Sequence, residues 1–488
     1  MWCNSLTVFI LGSLICWPFT LLSRRIGMRL GIYSVAASSR HIHNRPVPRI
    51  GGAAVFVSFL VTVCVVFFAK DLLNVPQAAW QSLLPVICCG AALIWSLGLL
   101  DDVWHLRAIY KLIFQVAVAA GVYSLGFQIR FISFPILGVL DLGDYSIVFT
   151  VLWIVGAINA VNLIDGIDGL CSGVVLCCLL GVFAVSIISG AETVMIVCSA
   201  LIGSVLMFLI FNFSPASVFL GDSGSYFLGF MVAVLPIFTA AESPTPGVFH
   251  IAFIFFLIVP FLDSFLTVVR RFIMRVPMTT PDRGHLHHNL LDRNYSHKRI
   301  TVTVSFISLV FVIAGIVTAI GSHLQSAFAI LATVMAGCFL LHLCGITSLR
   351  ALTIRQASHA TKAVLLKEHA PALFHEITGA ADWVRTQEIL DEFSRNTNMC
   401  AMCIICREKD TDGVIWEWRN GATIPGRRQP QLCRTYKVFH DDLCFQFYFR
   451  WDSEYSLIQN STDDLLELIS KTICEPCHEK FRQMKKET

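Results

Sequence analysis

The stretch Asn159-Ala-Val-Asn162-Leu-Ile-Asp165-Gly166-Ile-Asp168-Gly169-Leu170 puts two amides and two carboxylates into twelve residues, between two strongly apolar segments. Asn162, Asp165 and Asp168 recur every third residue. One helical turn, or a tight turn made at Gly166 and Gly169, brings their side chains towards one point. A carboxylate at full membrane depth costs about 2.5–3.5 kcal/mol. A plain connecting loop does not need so many polar groups. Hard oxygen donors at this density suit Mg²⁺ or the polar groups of a sugar nucleotide.

The segments on either side belong to a chain of 488 residues that is 56% hydrophobic, with a mean hydropathy of +0.69. That composition describes an integral membrane protein. Eleven stretches reach or approach the roughly 20 apolar residues of a membrane helix: 6–22, 51–69, 83–100, 111–126, 147–161, 170–189, 193–211, 226–240, 249–269, 301–320 and 325–344. Residues 127–144, between the fourth and fifth, are mixed in character. In the first stretch the positive charge (Arg24, Arg25, Arg29) follows the apolar run. This reads as a first membrane helix with its N-terminus outside, not as a signal peptide. The basic segments around Arg24–Arg49, Arg270–Arg299 and Arg350–Lys362 then all fall on one face, which the positive-inside rule makes cytoplasmic. The polar motifs near Asp101, Asn162, Asp222 and His285 fall on the same face. The small net charge of +3 gives no reason to expect nucleic acid. The expected architecture is therefore an all-α polytopic domain over residues 1–349, followed by a charged region, 350–488, without a membrane-length apolar run.

That second region reads as a small cytoplasmic α+β domain. Helices are expected over 382–393 and 463–484, with a linking or surface helix over 351–366. Strands are expected over 400–406, 414–418, 432–438 and 443–451. Cys400, Cys403 and Cys406, with Cys474, Cys477 and His478, have spacings seen in zinc sites. Met402, Ile404 and Ile405 instead make the first group a buried strand, so reduced thiols in an apolar core are the preferred reading.

Four further motifs carry chemistry. Gly98-Leu-Leu-Asp101-Asp102 ends an apolar helix. Adjacent carboxylates need a cation or a shared proton, and Lys111 lies within the next segment. For an isolated pair, a helix end in water is the preferred reading. Phe219-Leu-Gly221-Asp222-Ser223-Gly224-Ser225 can be a metal ligand at a sharp turn, with free backbone N–H groups for phosphate, or simply a helix cap. Pro281-Asp282-Arg283-Gly284-His285-Leu286-His287-His288 suits phosphate recognition better than zinc. In His43-Asn44-Arg45-Pro46-Val47-Pro48-Arg49-Ile50-Gly51-Gly52, paired glycines beside basic residues allow close approach either of two helices or of backbone to an anion. Acidic clusters with Arg/His anion sites on one membrane face are the equipment of metal-assisted phosphoryl transfer, and the hydrophobic bulk points to a lipid as one substrate.

The order of these five motifs over residues 6–344 resembles the polyprenyl-phosphate N-acetylhexosamine-1-phosphate transferase family, in its WecA-like branch, since Leu286 interrupts the histidines. The resemblance implies eleven transmembrane helices in a bacterial inner membrane, with the active site and C-terminus cytoplasmic. It implies transfer of an N-acetylhexosamine-1-phosphate, GlcNAc-1-phosphate by default, from a UDP-N-acetylhexosamine to undecaprenyl phosphate. UMP is released and a lipid-linked cell-surface glycan, such as an O-antigen, is begun. Mg²⁺ (or Mn²⁺) is implied as cofactor, with Asp222 as leading ligand and Asn162 beside it. Asp101 and Asp102 match the acidic pair, with Asp101 the candidate for deprotonating the lipid phosphate, and Lys111 matches the lysine that follows. Asp165 and Asp168 match the nucleotide-site acids. Arg283, His285, His287 and His288 match the loop that holds diphosphate or sugar, with Arg45 in support. Family members can form homodimers. The core family needs no region like 350–488, which is open to binding a partner glycosyltransferase or to regulation. The rival readings are an MraY-like phospho-MurNAc-pentapeptide transferase and a non-enzymatic lipid-sugar carrier or scaffold.

Overall fold

A computed structural model describes residues 2–34, 46–69, 77–134, 138–243, 248–274, 285–293, 295–321, 323–343, 368–377, 379–380, 382–397, 401–408, 411–419, 431–440, 443–452, 466–474, 476–478 and 480. The chain divides into two compact units, Met1–Thr347 and Ser348–Thr488.

The first unit is a helical bundle. Its helices are α1 (Trp2–Leu30), α2 (Gly51–Phe68), α3 (Gln77–Trp104), α4 (Ala108–Ser124), α5 (Ser146–Ile164), α6 (Leu170–Ser189), α7 (Glu192–Asn212), α8 (Gly221–Glu242), α9 (Ala252–Phe256), α10 (Ile258–Met274), α11 (Leu286–Asp292), α12 (His297–Ile320) and α13 (His323–Leu343). Eight of these are long and apolar enough to cross a membrane; α4 and residues 324–338 of α13 are apolar but shorter. The unit is a polytopic membrane protein, with large side chains such as Leu14, Trp17, Ile109 and Ile113 exposed on its outer faces. Each of the eleven apolar stretches carries helix.

The ninth stretch differs from its expected form. Residues 249–269 are not one helix: a strand, Val248–His250, is followed by α9, a break at Leu257, and α10. Pro260 explains the break. It has no N–H to donate to the carbonyl of Phe256, four residues back. That carbonyl instead accepts from the Cys178 thiol of α6, at 2.8 Å.

The mixed segment after α4 forms a small sheet that alternation did not reveal. Strands β3 (Phe131–Phe134) and β4 (Gly138–Asp141) pair antiparallel, and β5 (Val248–His250) adds to β3 in parallel. At the other end of the bundle, β1 (Tyr33–Ser34) pairs with β2 (Val47–Pro48) just before α2.

Helix α8 is the centre of the bundle. It packs against α2, α3, α5, α6 and α7, and nearly all of it is buried, as expected of a helix that is apolar all round. Close approach is possible because its first turn meets other backbone. A Cβ on Gly52 of α2 would collide with the backbone of Gly224. The N–H groups of Gly51 and Gly52 donate to the carbonyls of Phe219 and Leu220, at 2.9 and 2.7 Å. The paired glycines thus serve helix-to-helix contact. Gly221 begins α8 at φ +75°, and a Cβ there would strike the Arg49 carbonyl and the Asp102 carboxylate.

The second unit has helices α14 (368–377), α15 (Trp383–Asn396) and α16 (466–474). Its strands are β6 (Ala401–Glu408), β7 (Thr411–Arg419), β8 (Gln431–His440) and β9 (Leu443–Asp452). They form one antiparallel sheet in the order β7-β6-β9-β8. Strand alternation puts Met402, Ile404 and Cys406 beside Phe445, Phe447 and Phe449 in one apolar core, with Leu390, Phe393, Ile469 and Cys477. The Asp382 carboxylate accepts from the Arg385 N–H at the start of α15. The helix expected over 351–366 lies outside the described residues.

Gly190 and Gly221 both occupy the left-handed region, but a Cβ at Gly190 would meet nothing within 4 Å. Gly190→Ala should cost only the left-handed penalty, about 1 kcal/mol. Gly221→Ala should lower the thermal midpoint in detergent clearly further, because it also forces Arg49 and Asp102 away. Equal shifts would contradict this packing.

Candidate active site

Two carboxylates in the last turn of α3 oppose the helix dipole, which disfavours anions at a C-terminus. Both are compensated from outside the helix. Asp101, which is buried, receives three donors: the Lys111 ammonium at 2.8 Å, the Tyr226 hydroxyl at 2.9 Å and the Leu106 N–H at 2.9 Å. Lys111 stands near the N-terminus of α4, where a cation is unfavourable, so Asp101 and Lys111 relieve each other. Asp102 accepts from the N–H groups of Asp222 and Ser223, at 2.9 and 3.0 Å. It is an anion seated on the positive end of α8, supplied by a different helix.

These contacts gather a cavity of about 290 Å³ lined by Arg49, Asp101, Asp102, His105, Leu106, Lys111 and Asp222. Asp222 lines this cavity together with Asp101 and Asp102. Like charges this close need a proton or a cation between them. Asp165, just past the end of α5, lies within electrostatic reach of Asp222 and Asp102. Burial first, and then those two carboxylates, push its carboxyl up to about 8.

The remaining residues of the opening motif divide. The Asn162 side-chain oxygen accepts from the Ser225 hydroxyl at 2.7 Å, one turn along α8 from Asp222. Asp168 holds the loop before α8: its carboxylate accepts from the Ala216 N–H at 3.1 Å, and its carbonyl from the Thr301 hydroxyl at 2.8 Å. Asn159 points elsewhere, donating to Gln115 of α4 at 2.6 Å.

The histidine helix α11 rests on this loop. The His287 ring fills the space a Cβ on Gly166 would need. Burial, with His288 adding to it, lowers His287 to about 3, so it is neutral at pH 7. Its Nδ1 is buried with no hydrogen-bond partner among the described residues. The rings of His285 and His287 lie parallel, 5.8 Å apart. Arg45 and Arg283 lie outside the described residues, as do Pro281, Asp282 and Gly284.

Several site residues escaped the sequence reading. Arg49 lines the cavity, and its position directly before Ile50-Gly51-Gly52 was the available signal. His105 lines it too, from a left-handed φ of +52° just past α3. Tyr226 follows the Gly221–Ser225 motif. Asp263 lies buried in α10, where a single acid in an apolar run was itself a signal.

The donor set fits a hard divalent ion. Asp222 offers a carboxylate that no backbone group holds among the described residues, while Asp101 and Asp102 are engaged by neighbours. Among the described residues no three acids, histidines or cysteines form a ligand cage. Mg²⁺ seldom uses such cages: it binds one or two carboxylates and completes its shell with water and substrate phosphates.

Raising the Asp165 pKa makes the native state hold a proton that the unfolded chain has released between pH 3.8 and about 8. Metal-free stability should therefore fall as pH rises across that window. Asp165→Asn should flatten part of the fall in a series of thermal melts in chelator. An unchanged slope would contradict the crowding of this carboxyl by Asp222 and Asp102.

A sequence profile described as Glycosyl transferase family 4 matches residues 84–240, from α3 to the end of α8. The chain is 31% identical over 311 residues to a Bacillus subtilis (strain 168) protein named "Probable undecaprenyl-phosphate N-acetylglucosaminyl 1-phosphate transferase", covering 63% of this chain and 83% of the relative. It is 32% identical over 290 residues to the decaprenyl-phosphate N-acetylglucosaminephosphotransferase of Mycobacterium leprae (strain TN), covering 54% and 71%. It is 31% identical over 297 residues to a phospho-N-acetylmuramoyl-pentapeptide-transferase of Chlamydia trachomatis (serovar L2, strain ATCC VR-902B / DSM 19102 / 434/Bu), covering 56% and 82%. With the motifs gathered at one end of the bundle and most of each relative's length matched, the chain belongs to glycosyl transferase family 4, the polyprenyl-phosphate N-acetylhexosamine-1-phosphate transferases.

Proposed function

We propose that the chain transfers N-acetylglucosamine-1-phosphate from UDP-N-acetylglucosamine to undecaprenyl phosphate, releasing UMP and loading the lipid that begins a cell-surface glycan. The observation that carries this reading is the cavity in which Asp222 faces Arg49 and Lys111 at the end of α3 and α8. The two relatives named as N-acetylglucosamine-phosphate transferases support the sugar. A carrier would place its ionisable groups near the membrane midplane on broken helices. Here they stand at helix ends, where a soluble nucleotide and a lipid headgroup can both arrive. The placement of the basic segments supports eleven spans in a bacterial inner membrane, with this end of the bundle in the cytoplasm.

Asp222 would hold Mg²⁺ (or Mn²⁺), whose bound charge neutralises the diphosphate and the departing UMP. The side chains do the rest. Arg49 and Lys111 hold phosphate oxygens, and Asp101 keeps Lys111 extended into the cavity. An oxygen of the lipid phosphate attacks the phosphorus bearing the sugar. The bond between that phosphorus and the bridging oxygen breaks, and UMP leaves with the oxygen. The cations stabilise charge on the equatorial oxygens as this happens. Asp165 and Asn162, on the neighbouring loop and helix end, border the nucleotide. A single displacement asks less of these residues than a carboxylate nucleophile would.

The Chlamydia relative favours a second reading, with a UDP-N-acetylmuramoyl-pentapeptide as donor. Purified protein in detergent, given undecaprenyl phosphate, Mg²⁺ and each donor in turn, separates the two by UMP release. The expected result is turnover with UDP-N-acetylglucosamine that falls about 100-fold or more in Asp222→Asn. Turnover with the pentapeptide donor alone would transfer the assignment. No turnover with any UDP-sugar would sink the transferase reading.

A further inference from the structure

The histidine helix is held by a residue that lies outside every motif. Asp263 of α10 is buried, and both of its carboxylate oxygens are spent on the start of α11. Oδ1 accepts from the Leu286 N–H at 2.8 Å, and Oδ2 lies 3.0 Å from His285 Nδ1. Thr267, one turn further along α10, approaches the same Nδ1 at 3.4 Å and donates to the Asp263 carbonyl at 2.9 Å. An ionised carboxylate only accepts, so Nδ1 carries the hydrogen. The ring's other nitrogen, Nε2, is then the atom left to meet a ligand, as acceptor when the ring is neutral and as donor when it is charged.

The three histidines are consequently not equivalent. His287 is a neutral ring wedged against Gly166. His285, stacked on it, has the Asp263 carboxylate behind it. We infer that Asp263 is the positioning residue of the histidine loop: by clamping Nδ1 of His285 and the N–H of Leu286, it fixes the tautomer and orientation in which His285 meets the diphosphate of the nucleotide sugar. This rests on the transferase reading for its substrate, while the Asp263–His285 pair rests on geometry alone. The cost of burying a lone carboxylate in α10 is met by these two charge-assisted bonds.

Asp263→Asn is the informative change. Its amide oxygen can still accept from Leu286, but its NH₂ must donate to Nδ1 and so demands the opposite tautomer. Full-length protein in detergent, ¹⁵N-labelled on histidine and assigned with His285→Gln, reports the ring nitrogens directly. We expect an Nδ1–H signature for His285 that is lost in Asp263→Asn. We also expect kcat/KM for UDP-N-acetylglucosamine to fall about 10- to 100-fold with the thermal midpoint retained. The double variant Asp263→Asn/His285→Gln should lose no more than His285→Gln alone, within about twofold.

Unchanged kcat/KM in Asp263→Asn overturns the inference. So do losses that multiply in the double variant, or a drop in thermal midpoint with full activity per folded molecule, which would make Asp263 a strut. A folded wild type that turns over no UDP-sugar counts against the transferase reading instead. The ring-nitrogen spectrum then decides alone: an Nδ1–H signal lost in Asp263→Asn upholds the pair, and an unaltered spectrum overturns it.

Discussion

The site depends on one half-buried carboxylate. Asp102, at the C-terminal end of α3, accepts from the N–H groups of Asp222 and Ser223 in the first turn of α8. A carboxylate on a helix N-terminus is worth up to about 2 kcal/mol where it is partly buried, yet its structural effect is larger than its energy. It fixes the register between α3 and the central helix, and therefore fixes where Asp222 stands relative to Asp101 and Lys111. The glycines serve this contact. Gly221 turns the chain into α8 beneath Asp102, and Gly52 and Gly224 let α2 close the other side.

The price is a cluster of carboxylates in one small space. Asp101, Asp102, Asp165 and Asp222 are near enough to perturb one another, and among the described residues Arg49 and Lys111 oppose them on the cavity wall. Two of the four are already satisfied by fixed donors. Of the others, Asp165 is raised by burial and by the neighbouring carboxylates, a condition that a bound divalent ion would relieve. Local rules of helix charge are broken in the last turn of α3 and the first turn of α4. Such violations concentrate where chemistry is done.

Much of this was legible in the sequence. Apolar length located the helices, because membrane burial imposes it. The acidic motifs announced themselves because acids are rare in such a chain. Other features were hidden for physical reasons. The strands of the small sheet are four residues or fewer, and β5 joins from more than a hundred residues away, so no local alternation marks them. The break before α10 turned on one carbonyl, on Phe256, finding the Cys178 thiol across the bundle. Asp168 reads like its neighbours in sequence, and nothing local marks its contact with the Ala216 N–H, 48 residues further along the chain. Asp263 sits alone in an apolar run, with its partners 22 and 23 residues further along the chain.

The most direct test of this account is an experimental structure with UDP-N-acetylglucosamine and Mn²⁺ bound, the metal located by its anomalous scattering. The account predicts one peak about 2.1 Å from a carboxylate oxygen of Asp222. The diphosphate should lie between Arg49 and Lys111, while Asp102 remains on the N-terminus of α8. A metal and nucleotide bound away from Asp222, with this cavity left to water, would contradict it.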